Sequence, residues 1–217
     1  MSIQFLLEAY KLTHDEEALQ HAVFSIDALL CGGIYDCLGS GLCRYTVDKA
    51  WLIPHFEKML YDNALLISVL CDAYTVTKNE VYKTVIDDLI KFANRELKGD
   101  HDLYYCAIDA DSEGEEGAFY CWTYDVLKEL LNKEEMAFAE KHLDVSENGN
   151  WEGKNIIHVD ELMLLSKEHE VFSLIRYKLF ESRSKRIRPL TDDKALLSWN
   201  ALFNWSLVKA GKVLQNN

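Results

Sequence analysis

The stretch HFEKMLYDN, His55 to Asn63, packs a histidine, a glutamate, a lysine, an aspartate and an asparagine into a segment that otherwise reads as core helix. Pro54 suits a first helical turn. The spacing therefore predicts a helix from His55, with His55, Lys58 and Asp62 on one face at intervals of three and four. Asn63 falls in the apolar line Phe56, Leu60, Asn63, Ile67, Leu70, Tyr74 and is expected to be buried and hydrogen-bonded. Histidine titrates near neutrality, so His55 is the residue here best suited to proton transfer. The plain alternative is that these groups pin a loop to a helix. A second acidic stretch, DADSEGEEG, puts Asp109, Asp111, Glu113 and Gly114 at positions one, three, five and six of a calcium-loop pattern. Position twelve should be a bidentate glutamate. It is Tyr120, so a solvated acidic turn is the simpler reading, and no metal or cofactor is expected.

These residues need elements to hold them, and the chain repeats itself. EAYKLTHDE from Glu8 returns as DAYTVTKNE from Asp72, 64 positions later, with Tyr10 matching Tyr74 and Glu16 matching Glu80. Asp15 and Asn79 both read as helix N-caps, because a short side-chain acceptor satisfies the free amides of a first turn. Apolar residues at helical spacing follow the second cap: Tyr82, Val85, Ile86, Leu89, Ile90, Ala93 and Leu97. A second echo sets YDNALL (Tyr61 to Leu66) against SWNALF (Ser198 to Phe203) at an offset of 137. Units of helix, turn, helix and return loop suggest a solenoid or a closed ring of helical hairpins. The return loops at 32–54 and 98–122 are long, and long loops in a compact domain are more often functional than idle. Aromatic flanks around Gly114 predict a small β-hairpin near 103–122, with Cys106 facing Cys121 across it.

Composition excludes several classes. A net charge of −13 over 217 residues argues against a nucleic-acid partner, since a phosphate backbone is gripped by clustered Lys and Arg. The one basic run, RSKRIR (Arg183 to Arg188), reads as a solvated helix end. No apolar run approaches the roughly 18 residues of a membrane span, and the start lacks the basic region of a signal peptide. The six cysteines form no CxxC pair, which points away from zinc and towards a reducing cytoplasm.

GGIYDCLGSGLCRYTVDKAWLIPHFEKMLYDNALL, DADSEGEEGAFYCWT and DDKALLSWNAL together resemble the spermatogenesis-associated protein 20 family. The resemblance implies a fold: an all-α set of helical hairpins forming part of an (α/α)6-type toroid, similar to N-acylglucosamine 2-epimerases and six-hairpin glycosidases. It implies one partial toroid domain over 1–217, without the family's thioredoxin-like domain. It also implies a carbohydrate-type pocket. Such a pocket uses carboxylates as acid/base pair or hydroxyl binders. His55, Glu57, Asp62, Asp109 and Asp111 are the expected catalytic residues, with Asp192 and Asp193 as further carboxylates. Tyr61, Trp199 and Trp122 would stack on sugar faces, Arg44 and Lys194 would hold an anionic group, and Asn63 and Asn200 would contact substrate. In the family's usual GGIYDHLGGGFHRYS, histidines stand where this chain has Cys37 and Cys43. A thiol is a poor base near pH 7, so a non-catalytic interaction module is the competing reading. Bare apolar faces on the first helix and on Ala201 to Leu214 predict a homodimer or a partner that covers the open ring.

Overall fold

The computed structural model describes residues 2–167 and 169–215. Two helical hairpins share one joint. Helix α1 (Ser2–Thr13) leads into α2 (Glu16–Cys31), and α3 (Leu60–Thr77) leads into α4 (Glu80–Glu96). Each joint is two residues long. The first residue takes a left-handed conformation, His14 at φ 56° and Lys78 at φ 58°. The second caps the next helix: Asp15 accepts from the amides of Glu17 and Ala18, and Asn79 from that of Val81. Thr13 and Thr77 each donate a hydroxyl to the carbonyl four residues back, both at 2.8 Å. The repeat expected at an offset of 64 is therefore present down to its hydrogen bonds.

Helix α3 is the centre of the molecule. It lies between α1 and α8 (Leu197–Leu214). It is buried along one long run that includes Leu66, Ile67, Val69 and Leu70. Removing one such side chain costs about 2–5 kcal/mol, because the cavity left behind collapses only in part. Helix α4 is amphipathic by contrast and buries Val81, Tyr82, Val85, Ile86, Leu89 and Phe92. Glu8, Asp72 and Lys209 occupy equivalent places on α1, α3 and α8, and Lys11 joins them. Lys11 bonds Glu8 at 2.9 Å and Asp72 at 3.1 Å, while Lys209 meets Asp72 at 2.6 Å. Helices α5 (Tyr124–Leu130), α6 (Lys133–His142) and α7 (Glu170–Arg183) intervene before α8. Arg176 ties α7 to the first return loop and to α4, through Leu38 O, Ser40 Oγ and Asp88.

Short antiparallel strands order the loops. Strand β1 (Tyr45–Thr46) pairs with β2 (Pro54–His55). Strands β3 (Lys58–Met59), β4 (Ala107–Ile108) and β7 (Thr191–Asp192) form a three-stranded sheet in that order. Strands β5 (Asp111–Ser112) and β6 (Glu115–Glu116) make the expected acidic hairpin around Glu113 and Gly114. Three expectations are corrected. Residues 54–55 and 58–59 are strand, and the helix begins only at Leu60, because His55 pairs with Tyr45 and Lys58 with Ile108. Pairing with distant segments overrode a helical spacing. Cys106 does not face Cys121: it packs with Met59 and Ala107, whereas Cys121 packs with Phe56 and Tyr120. All six cysteines are free thiols. The run from Arg183 to Arg188 is no solvated helix end: Arg183 is buried, and Arg186 donates to the carbonyls of Ala118, Phe119 and Cys121. Among the described residues no helix is long and apolar enough to cross a membrane.

Candidate functional site

The β1–β2 ribbon, the start of β3 and the start of α3 bring several expected residues to one open face. His55 stacks on Tyr45 with ring centroids 5.0 Å apart and bonds Glu116 at 2.6 Å through Nδ1. Its Nε2 lies 3.7 Å from Glu57, and Glu57 accepts from Arg44 at 3.1 Å. Arg44 also lies beside Tyr61. Tyr61 packs on Trp199 at 4.8 Å, so α3 and α8 each lend one ring to a half-buried aromatic pair. Asp62 sits in the first turn of α3, and its Oδ2 is buried without a hydrogen-bond partner. Burial pushes its carboxyl up to about 6, while Tyr61 and Arg44 pull the other way. The face thus holds a carboxyl able to carry a proton near neutrality beside a carboxylate, a histidine and a guanidinium.

The remaining expected residues divide. Asp111 pairs with Glu116, the residue that holds His55, and so borders the face. Asp109 follows β4 and spends one carboxylate oxygen on the amides of Ala110 and Asp111. Asp192 lies on β7 and pairs with Lys194 at 2.6 Å; Asp193 beside it is exposed. Three other assignments are corrected. Asn63 and Asn200 clamp backbone: Asn63 accepts from Leu42 N at 2.8 Å and donates to Leu42 O and Met59 O. Asn200 repeats the pattern on Tyr104, accepting at 2.8 Å and donating to Tyr104 O and Leu196 O. Their amides are fully used, which explains the echo at 137: each asparagine fastens a return loop to the helix that bears it. Trp122 is no stacking platform, since it is wholly buried beneath the Arg186 guanidinium, 3.8 Å from its ring.

A second polar centre lies on the opposite side of the three-stranded sheet. Asp36 receives both terminal nitrogens of Arg183, at 3.0 and 2.8 Å, and Lys58 Nζ at 2.6 Å. Lys58 is 1% exposed, donates also to Ser40 O and lies over the rings of Phe92 and Tyr120. Burial alone would raise the Asp36 carboxyl, but Arg183 and Lys58 hold it far below the usual carboxylate range. Sequence reasoning placed Lys58 beside His55 because it assumed helix; in a strand, alternate residues face opposite ways. Gly39 leaves room for this pair. A Cβ on Gly39 would stand 2.0 Å from the Arg183 guanidinium. Cys37 and Cys43 are buried next to this centre, and burial raises both thiols to about 12, so neither is a thiolate at neutral pH.

No family model matches the chain. Spermatogenesis-associated protein 20 of Rattus norvegicus is 33% identical over 95% of this chain, and the Mus musculus and Homo sapiens proteins of the same name are 32% and 31% identical over the same share. The chain spans about 30% of the length of these relatives. At this identity over nearly the whole chain, the chain belongs to the spermatogenesis-associated protein 20 family.

Proposed function

We propose that the hairpins are part of an (α/α) toroid and that the open face binds a carbohydrate-type ligand, with Asp62 as proton donor and Glu57 as its charged partner. The observation that carries this reading is Asp62, a half-buried carboxyl with an unpartnered oxygen and a pKa near 6, next to a carboxylate bonded to Arg44. Acid and base roles arise where the environment drives two titratable groups apart. Tyr61 and Trp199 supply a stacking surface, and His55, oriented by Glu116, a second proton carrier. The six free thiols suit a reducing cytoplasm. Phe5 on α1 and Trp205 and Val208 on α8 are exposed, and in this reading a second copy of the chain covers them and extends the ring. Saturation-transfer NMR with neutral and N-acylated hexoses tests the ligand class. Transfer that disappears in Asp62→Asn supports the reading; no transfer from any hexose at millimolar concentration overturns it. Light scattering tests the second copy, and a 25 kDa species at high micromolar concentration rejects it.

A further inference from the structure

The Asp36 centre borders a small cavity of about 30 Å³, roofed by Phe92, Phe119 and Tyr120. Four cations line it, Lys58, Arg95, Arg183 and Arg188, against two carboxylates, Asp36 and Glu96. The local sum is 4 − 2 = +2, inside a chain whose net charge is −13. Both carboxylates are already engaged: Asp36 by Arg183 and Lys58, Glu96 by Arg95 and Arg188. Side-chain exposure rises from 2% at Lys58 and 5% at Arg183 to 37% at Arg95 and 52% at Arg188, so the mouth lies at Arg188. A guanidinium is a fixed fork of donors suited to carboxylate and phosphate oxygens.

We propose that this cavity is an oxyanion site, which takes the phosphate or carboxylate head of a small ligand between Arg95, Arg183 and Arg188, with Lys58 supplying charge from the floor. The volume decides the size of the head. One water needs about 10–15 Å³ of such space, so about 30 Å³ admits a few heavy atoms and not a sugar ring. Anything larger stays outside, past Arg188. Burial works against the charge of Arg183, yet its pair with Asp36 raises its proton affinity. Burial lowers the proton affinity of Arg95, and Arg183 and Arg176 add to it against Asp36. Burial and Arg95 do the same to Arg188. Burial and Arg183 bring Arg186, just behind, down to about 10. A bound anion would offset the repulsion among these like charges. The site is distinct from the open face and stands or falls apart from it.

The test is calorimetric titration of the whole chain at constant ionic strength, with sodium chloride as the balancing salt. The probes are inorganic phosphate, acetate, glucuronate and glucose 6-phosphate. We expect saturable binding of at least one probe, weakened about tenfold in Arg188→Ala, partly restored in Arg188→Lys, and unchanged in Lys128→Ala, a distant exposed cation. Binding of inorganic phosphate alone identifies a free anion as the ligand; tighter binding of glucuronate or glucose 6-phosphate identifies a larger ligand held by its head. No saturable heat from any probe on the unaltered chain overturns the proposal. So does equal binding by Arg188→Ala, or equal weakening in Lys128→Ala.

Discussion

The two polar centres use the same kinds of residue on opposite sides of one small sheet, yet their energetics differ. Around Asp36, a carboxylate, a guanidinium and an ammonium are almost sealed from water, with side-chain exposures of 8%, 5% and 2%. Around His55, the partners remain a quarter to a half exposed: 27% for His55, 23% for Glu57, 45% for Arg44 and 44% for Glu116. Ion pairs in water contribute about 0–1 kcal/mol. Buried charges depend on their partners, since the survivor of a broken pair is left desolvated. The sealed centre therefore fixes the fold, fastening the α7 end to the first return loop. The open face leaves its groups available for chemistry.

The largest expected effect follows from breaking the sealed centre. Asp36→Asn leaves Arg183 and Lys58 buried without their counter-charge and should cost about 3–5 kcal/mol in urea unfolding. The same carboxyl is held low in the folded chain, so its contribution is present above the unfolded pKa of about 3.9 and is lost as pH falls towards the folded value. A loss below 1 kcal/mol would mean that the two regions do not differ as argued. Next come the two backbone clamps. Asn63→Ala orphans the buried amide and carbonyl of Leu42, and Asn200→Ala the part-buried ones of Tyr104; each should cost about 1–3 kcal/mol, by similar amounts. A large difference between them would break the equivalence of the two loops.

A smaller effect of opposite sign is expected at Asp62. Its carboxyl is raised in the folded state, so ionising it opposes folding once pH exceeds the unfolded value of about 3.9, and the opposition is complete above about 6. Asp62→Asn should stabilise the chain by about 1 kcal/mol at pH 8, after discounting for solvent screening, and by nothing below about pH 4. Thermal melts across that range would show a gap that opens with pH; a gap that closes instead would contradict the burial of this oxygen. The smallest effect belongs to His55→Ala, which should change stability by no more than about 0.5 kcal/mol, as expected for a partly exposed side chain. A cost above 1.5 kcal/mol by denaturant titration would place His55 with the sealed centre rather than the open face.

Much of the frame was legible in the sequence because its causes are local. The paired hairpins, their two-residue joints and the Asp15 and Asn79 caps follow from residue types a few positions apart, where helix spacing and side-chain acceptors act directly. The echo YDNALL/SWNALF marked a shared role, although only the structure showed the role to be a backbone clamp. What sequence alone did not decide was everything that depends on partners far along the chain. His55 to Met59 carries apolar and polar residues at helical intervals, but Tyr45 and Ile108 supply strand partners, and that pairing sends Lys58 to one side of the sheet and the His55–Glu57 pair to the other. Arg183 looks like any helix-end cation until its fold places it on Asp36, 147 residues away. Local propensity sets which elements form; desolvation and long-range pairing decide which charges are sealed and which stay open, and those depend on neighbours that only the tertiary structure assembles.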